Sequence, residues 1–88
     1  MGAIVEFENE RVRVLRVTHG HRERHSETSR SDRLIIYLRD GRVGRAEGGK
    51  HEEIQRKAGD VVWRGRSQHQ IENKNDAEHE VIIVEFKN

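Results

Sequence analysis

Residues 59–73 read GDVVWRGRSQHQIEN, and this stretch decides the fold. Its Gly-Asp pair predicts a turn, VVW predicts a short buried strand, and Gly65 predicts a break before a second strand over residues 67–74. His69 stands near the centre of that second strand. A lone histidine on such a strand is either a hydrogen-bonded core residue or one member of a metal site. The rest of the chain must therefore show whether His69 has partners.

The remaining sequence repeats the pattern of short apolar runs between turn signals, which predicts an all-β fold. Strands are predicted at residues 3–7, 11–18, 33–39, 42–47, 51–57, 61–64, 67–74 and 79–86. The pair Asp40-Gly41 is a hairpin turn signal. Residues 19–32, HGHRERHSETSRSD, have neither a helical nor a strand period, so they are predicted to form a loop. Eight short strands at this spacing are typical of a barrel or sandwich, here one domain over residues 1–88.

The composition restricts the partners of the chain. It has 88 residues, of which 32% are hydrophobic and 38% charged, so its core is thin. Its 17 basic and 16 acidic residues leave a net charge of +1, and no bulk field attracts nucleic acid or a membrane. Cysteine is absent, which excludes thiolate metal ligands, and the N-terminus lacks a signal-peptide pattern. We expect a cytoplasmic protein that binds neither nucleic acid nor membrane.

Two predicted strands are apolar on both faces. They contain LIIYL, residues 34–38, and VIIV, residues 81–84. A barrel interior accounts for one face of each strand, and the other face needs a second layer or a second subunit. A homodimer is therefore predicted.

These elements together resemble a small single-domain cupin, a double-stranded β-helix or jelly-roll barrel. The likeness runs from FENERVRVLRV, residues 7–17, to VIIVEFK, residues 81–87. It is sharpest at the second cupin motif, which contains a Gly, a Pro, an inner Gly, a His and an Asn. Counted from Gly59, the Pro position holds Gly65 and the inner Gly position holds Ser67, and three residues separate His69 from Asn73 as in the motif. The resemblance implies a cupin-like jelly-roll barrel.

The first cupin motif supplies two histidines as HxH and a third ligand ahead of a strand that ends in Gly. Aligned without a gap on DRLIIYLRDG, its HxH positions fall on Thr28 and Arg30, and its third position falls on Arg33. The resemblance then implies a barrel that has lost most of its metal ligands and has no cofactor. Two arginines in the barrel mouth predict a small anionic ligand in forked contacts, with Thr28, Tyr37 and His69 lining the same pocket.

Two alternatives stay open. A shift of three residues places His25 and Glu27 at the HxH positions, and with His69 they form a 2-His-1-carboxylate set for a divalent transition metal such as iron or manganese. The chain would then be a metal-dependent oxygenase or isomerase. The other alternative is a structural or engineered barrel without a ligand. The sequence leaves open whether any reaction is catalysed.

Overall fold

The described residues form nine β-strands and no helix, so the all-β prediction is confirmed. The computed structural model describes residues 2–20, 22–29, 31–65, 67–75 and 77–87, and for residues 24–29 and 67–71 it describes the backbone alone. In chain order the strands are β1 (Gly2–Glu8), β2 (Val12–His19), β3 (Arg24–Ser29), β4 (Arg33–Tyr37), β5 (Gly41–Glu47), β6 (Lys50–Arg56), β7 (Val61–Arg64), β8 (Ser67–Asn73) and β9 (His79–Phe86). No segment among them could cross a membrane as a helix.

The strands build two antiparallel sheets. One has five strands in the order β1-β2-β9-β4-β7, and the other has four in the order β3-β8-β5-β6. The inner faces of the two sheets enclose the core, as alternation of side chains along each strand requires. The core consists of Val17, Ile35, Tyr37, Val43, Val81 and Ile83.

Residues 19–32 were predicted to form a loop, and this prediction is wrong because the segment contains β3. Arg24–Ser29 forms β3 and pairs with β8 along its whole length, from Arg24↔Glu72 to Ser29↔Ser67. Its sequence, RHSETS, contains no apolar residue, so it carries no alternation of apolar and polar side chains. Backbone pairing with β8 makes this segment a strand, and that pairing is a tertiary effect that local patterning does not report.

The turn at Asp40-Gly41 does not make the predicted hairpin. β4 pairs with β7 and β9, whereas β5 pairs with β6 and β8, so this turn carries the chain from one sheet to the other. A type I′ hairpin turn needs positive φ at both central residues. Gly48 and Gly49 have φ values of 58° and 81° and close the β5–β6 hairpin, while Gly41 is not in that region.

The outer face of the five-stranded sheet carries an apolar row, as the two-faced apolar strands predicted. One row of cross-strand neighbours crosses all five strands: Phe7, Val14, Val84, Leu34 and Trp63. The ends of this row are open to solvent, since Phe7 is 55% and Trp63 57% exposed. The Trp63 ring lies 5.7 Å from the ring of Phe86 on the same face.

A β-bulge in β1 decides which of its residues join this row. Val5 is opposite Leu15, but Phe7 is opposite Val14, so two steps on β1 match one step on β2. Strict alternation would put Phe7 on the same face as Val5. Because of the bulge, Phe7 falls on the outer face and Glu8 on the inner one.

Candidate ligand site between the sheets

Arg33 and Tyr37 lie where the sequence placed them, on the inner face of β4. Arg33, Ile35 and Tyr37 are all buried, and they alternate with the half-buried Leu34 and Ile36. Arg33 is only 1% exposed, at the end of β4 opposite to that of Tyr37. A guanidinium in the interior of a barrel is costly to desolvate, so its surroundings must compensate the charge.

A row of charged residues crosses the inner face of the five-stranded sheet at the level of Arg33. The row runs Glu8, Arg13, Glu85, Arg33 and Arg64, each opposite the next in the strand register. Arg13 and Glu85 form an ion pair of 2.8 Å. The signs alternate until the last step, where Arg33 faces Arg64. Like charges directly opposite each other are destabilising, so the step from Arg33 to Arg64 is the unfavourable one in this row.

Three more arginines, Arg45, Arg56 and Arg64, belong to the same inner surface, and sequence reasoning missed all three. Each stands two residues from an apolar side chain that packs inward: Val43, Ile54 and Val62, respectively. That spacing was visible in the sequence and is the signal that could have found them, because residues two apart on a strand share a face. Because arginine usually faces solvent, these three residues were not assigned to the inner surface from the sequence.

The electrostatics of Arg64 show that these arginines act on one another. Burial lowers the pKa of Arg64 below its ordinary value, and the charges of Arg45 and Arg56 lower it further. Arg45 is paired with Glu47 at 3.0 Å and with Glu52 at 3.7 Å. The Arg56 guanidinium lies 5.5 Å from the centre of the Tyr37 ring, a cation–π distance.

The other predicted site residues lie on β3 and β8 or outside the described residues. Glu27 is the register partner of His69, and Thr28 is the partner of Gln68, so the backbone brings Glu27 rather than Thr28 opposite His69. His25 pairs with Ile71, two residues along β8 from His69. Arg30 lies outside the described residues. The assignment of these residues to a ligand or metal site stays a prediction.

Asn73 anchors the end of β8. It is 1% exposed, and its Nδ2 donates to the carbonyl oxygens of Gly20 at 2.9 Å and Ala77 at 2.8 Å. Its Oδ1 accepts from the backbone N–H of Asn75 at 3.0 Å. The asparagine of the second motif therefore holds the segments after β2 and before β9 onto β8.

A cavity extends from the core toward two buried histidines. His19 and His79 are partners in the β2–β9 register, and burial followed by the charge of Arg39 lowers the pKa of His79, which keeps its imidazole neutral at neutral pH. The cavity has an empty volume of about 420 Å³ with its open mouth included. Its wall is formed mainly by the aliphatic core residues Val17, Ile35, Val43, Val81 and Ile83. In the part of the chain with described side chains, no group of three or more His, Asp or Glu residues could hold a metal ion.

Comparison with known proteins identifies the architecture. The sequence matches no family model and no curated protein. The structure resembles a cupin domain from Bordetella pertussis Tohama I with a TM-score of 0.89 and 22% identity, covering 99% of this chain and 95% of that one. It resembles the Cupin_2 domain of an XRE family transcriptional regulator from Enterobacter cloacae with a TM-score of 0.79 and 10% identity, covering 99% and 96%.

A cupin superfamily protein from Desulfitobacterium hafniense DCB-2 is also similar, with a TM-score of 0.74 and 15% identity over 98% of this chain and 76% of that one. The two antiparallel sheets of this chain are consistent with its similarity to these three cupin structures. The resemblance predicted from the second motif is confirmed at the level of the fold: this chain has the cupin fold, a double-stranded β-helix of the jelly-roll type.

Proposed function

We propose that this protein is a cupin-type binding module that holds a small anion between its two sheets and has no metal of its own. The observation that carries the proposal is the inward-facing pair Arg33 and Arg64, which are direct cross-strand neighbours of like charge. Arg45 and Arg56 add to the positive field at Arg64. Arg30, Tyr37 and His69 remain predicted members of the same pocket, whereas Thr28 lies one register position from the residue opposite His69.

A bound anion would relieve the cost of this arrangement. Guanidinium groups offer planar, forked donors that match carboxylate and phosphate oxygens. The chain as a whole has a net charge of only +1, so the clustering of arginines is local and does not follow from a basic composition. Barrel walls of low polarity strengthen the field at the site relative to an exposed surface.

Thermal unfolding in different salts tests the proposal. At matched ionic strength, we expect phosphate and citrate to raise the Tm by several degrees more than chloride does, because a ligand that binds only the folded state stabilises it by mass action. The variant Arg64→Gln removes one guanidinium of the pair and should abolish the difference between the anions.

The matched control is Arg11→Gln, which removes the same charge from an exposed position outside the site. It should respond to each anion as the parent does, and it also separates specific binding from the general stabilisation that excluded salts produce. If Arg64→Gln behaves like Arg11→Gln, the anion site does not exist and the barrel without a ligand becomes the better description.

A second candidate function is a metal centre on β3 and β8, and the strand register favours it. Glu27 lies directly opposite His69, and His25 is two residues from Glu27 on the same strand. These are the three residues of the 2-His-1-carboxylate alternative, which suits non-haem iron or manganese. The discriminating measurement is the metal content of the purified protein and of variants at these positions.

We further propose that the protein is a homodimer whose subunits meet through the outer face of the five-stranded sheet. The apolar row from Phe7 to Trp63 spans the full width of that face, and its two ends are more than half exposed. Contiguous apolar surface of this kind is typical of an interface. A second copy is the partner that fits, since it would present the same apolar row and leave the inner site unchanged.

A further inference from the structure

The open side of the sandwich lies between β6 and β7. β6 is the last strand of the four-stranded sheet and β7 is the last strand of the five-stranded sheet. Residues 57–60 join them in a tight turn, in which the backbone N–H of Asp60 donates to the carbonyl oxygen of Lys57 at 3.0 Å. The two free edges are therefore on the same side of the molecule. Arg56 ends β6 beside this turn, and Arg64 ends β7 away from it, so the two flank the opening at its opposite ends, with the charge of Arg56 acting on Arg64.

The cations at this edge differ in how well they are neutralised. Arg45 is paired with two exposed carboxylates, those of Glu47 and Glu52. Neither Arg56 nor Arg64 forms an ion pair within the described part of the chain. The Nε atoms of Arg45 and Arg56 are buried and have no hydrogen-bond partner there. The positive charges of Arg56 and Arg64, and the Nε–H donor of Arg56, are thus left for a ligand.

From this geometry we infer that the ligand is a polyanion, a small molecule with at least two negative charges on carboxylate or phosphate groups, which Arg56 and Arg64 hold at the β6–β7 edge. The inference rests on the proposed function and narrows its ligand. A monoanion would neutralise one guanidinium and leave the other half-buried and uncompensated, whereas a dianion compensates both. Tyr37 fixes the Arg56 guanidinium from below the opening through the cation–π contact, so the donor is already in position before binding.

Titration calorimetry at constant ionic strength and pH 7.5 tests the charge requirement with acetate, malonate, tricarballylate and inorganic phosphate as probes. We expect at least one of the two multivalent classes, the carboxylates malonate and tricarballylate or inorganic phosphate, to bind the parent at least about tenfold more tightly than acetate, a difference of about 1.4 kcal/mol. Phosphate distinguishes a phosphoryl ligand from a carboxylate ligand. Tight binding of phosphate with weak binding of malonate identifies a phosphoryl ligand, and the reverse identifies a carboxylate ligand. Either result supports the inference.

The variant Arg56→Gln should bring the preference for malonate over acetate to within about threefold, because one of the two compensating cations is gone. Arg56→Lys retains the charge and should keep the preference, and Arg11→Gln should match the parent. The comparison of the four anions on the parent protein tests the charge requirement even if Arg56→Gln does not fold.

Two results would overturn the inference while leaving the proposed function in place. One is acetate that binds as tightly as malonate and phosphate, and the other is a folded Arg56→Gln variant with the full preference of the parent. Absence of binding for every anion would overturn both the inference and the proposed function.

Discussion

A single buried amide, that of Asn73, holds together three segments of the chain. It is 1% exposed and satisfies the carbonyl groups of Gly20 and Ala77 while it accepts from Asn75. In the Asn73→Ala variant, the part-buried carbonyl groups of Gly20 and Ala77 lose their donor, and the buried space of the amide is left unfilled. We expect a loss of at least about 2 kcal/mol in the free energy of unfolding. Urea unfolding at one fixed protein concentration measures it.

Asn9→Ala is the control for that measurement. The Asn9 Oδ1 accepts from the backbone N–H groups of Arg11 and Val12, but this turn is exposed and water can replace the lost acceptor. Its loss should stay below about 1 kcal/mol. Equal losses in the two variants would mean that burial does not set the energetic role of Asn73.

Single residues show what sequence reasoning can and cannot locate. The inward placement of Arg33 and Tyr37 followed from the resemblance to a cupin, and the burial pattern of β4 agrees. Arg45 and Arg64 follow the alternation along their strands, two residues from the inward Val43 and Val62, but they were not assigned to the inner face from the sequence because arginine usually faces solvent. Pairing brings Arg33 opposite Arg64, and no local pattern contains that information.

At the scale of strands, the pair β3–β8 carries the metal alternative. We expect protein purified without chelator to hold well under one transition metal ion per chain, because the arginines already inside the barrel repel a divalent cation. Elemental analysis of the parent and of His69→Ala is the measurement. Thr28→Ala is a matched control, since Thr28 is offset by one register position from Glu27.

The metal-free proposal fails if the parent carries about one iron or manganese ion per chain. Loss of that metal in His25→Ala, Glu27→Ala and His69→Ala, with retention in Thr28→Ala, would establish the centre favoured by the register.

Strands with apolar alternation were predicted with bounds close to those observed, and β9 was predicted at residues 79–86, as found. β3 was missed because its residues bury no apolar row of their own and depend on β8 for pairing. The candidate site draws on both kinds of strand. Its β4 part could therefore be predicted, and its arrangement against β3, β6 and β7 could not.

For the molecule as a whole, the apolar row on the outer face makes the association state the property to measure. We expect sedimentation at micromolar concentration to give about twice the 10.3 kDa of one chain. Trp63→Glu places a charge at the exposed end of the apolar row and should shift the protein toward the monomer, because an unpaired charge in an apolar interface is costly.

Gln55→Glu adds the same charge to an exposed residue of β6, in the other sheet, and should leave the dimer intact. A parent protein that sediments as a monomer over the whole micromolar range would refute the dimer. A Trp63→Glu dimer as stable as the parent would show that the subunits do not meet through this row.

The bulge in β1 has a consequence for how the length of this chain can change. The apolar outer row and the charged inner row are one residue apart on every strand of the five-stranded sheet, for example Trp63 beside Arg64. Insertion or deletion of a single residue within a strand would exchange the two rows and turn charge outward and apolar side chains inward. Within a strand of this sheet, residues can therefore be gained or lost only in pairs. β1 contains one extra residue, and it does so only because the bulge between Val5 and Phe7 takes that residue out of the pairing.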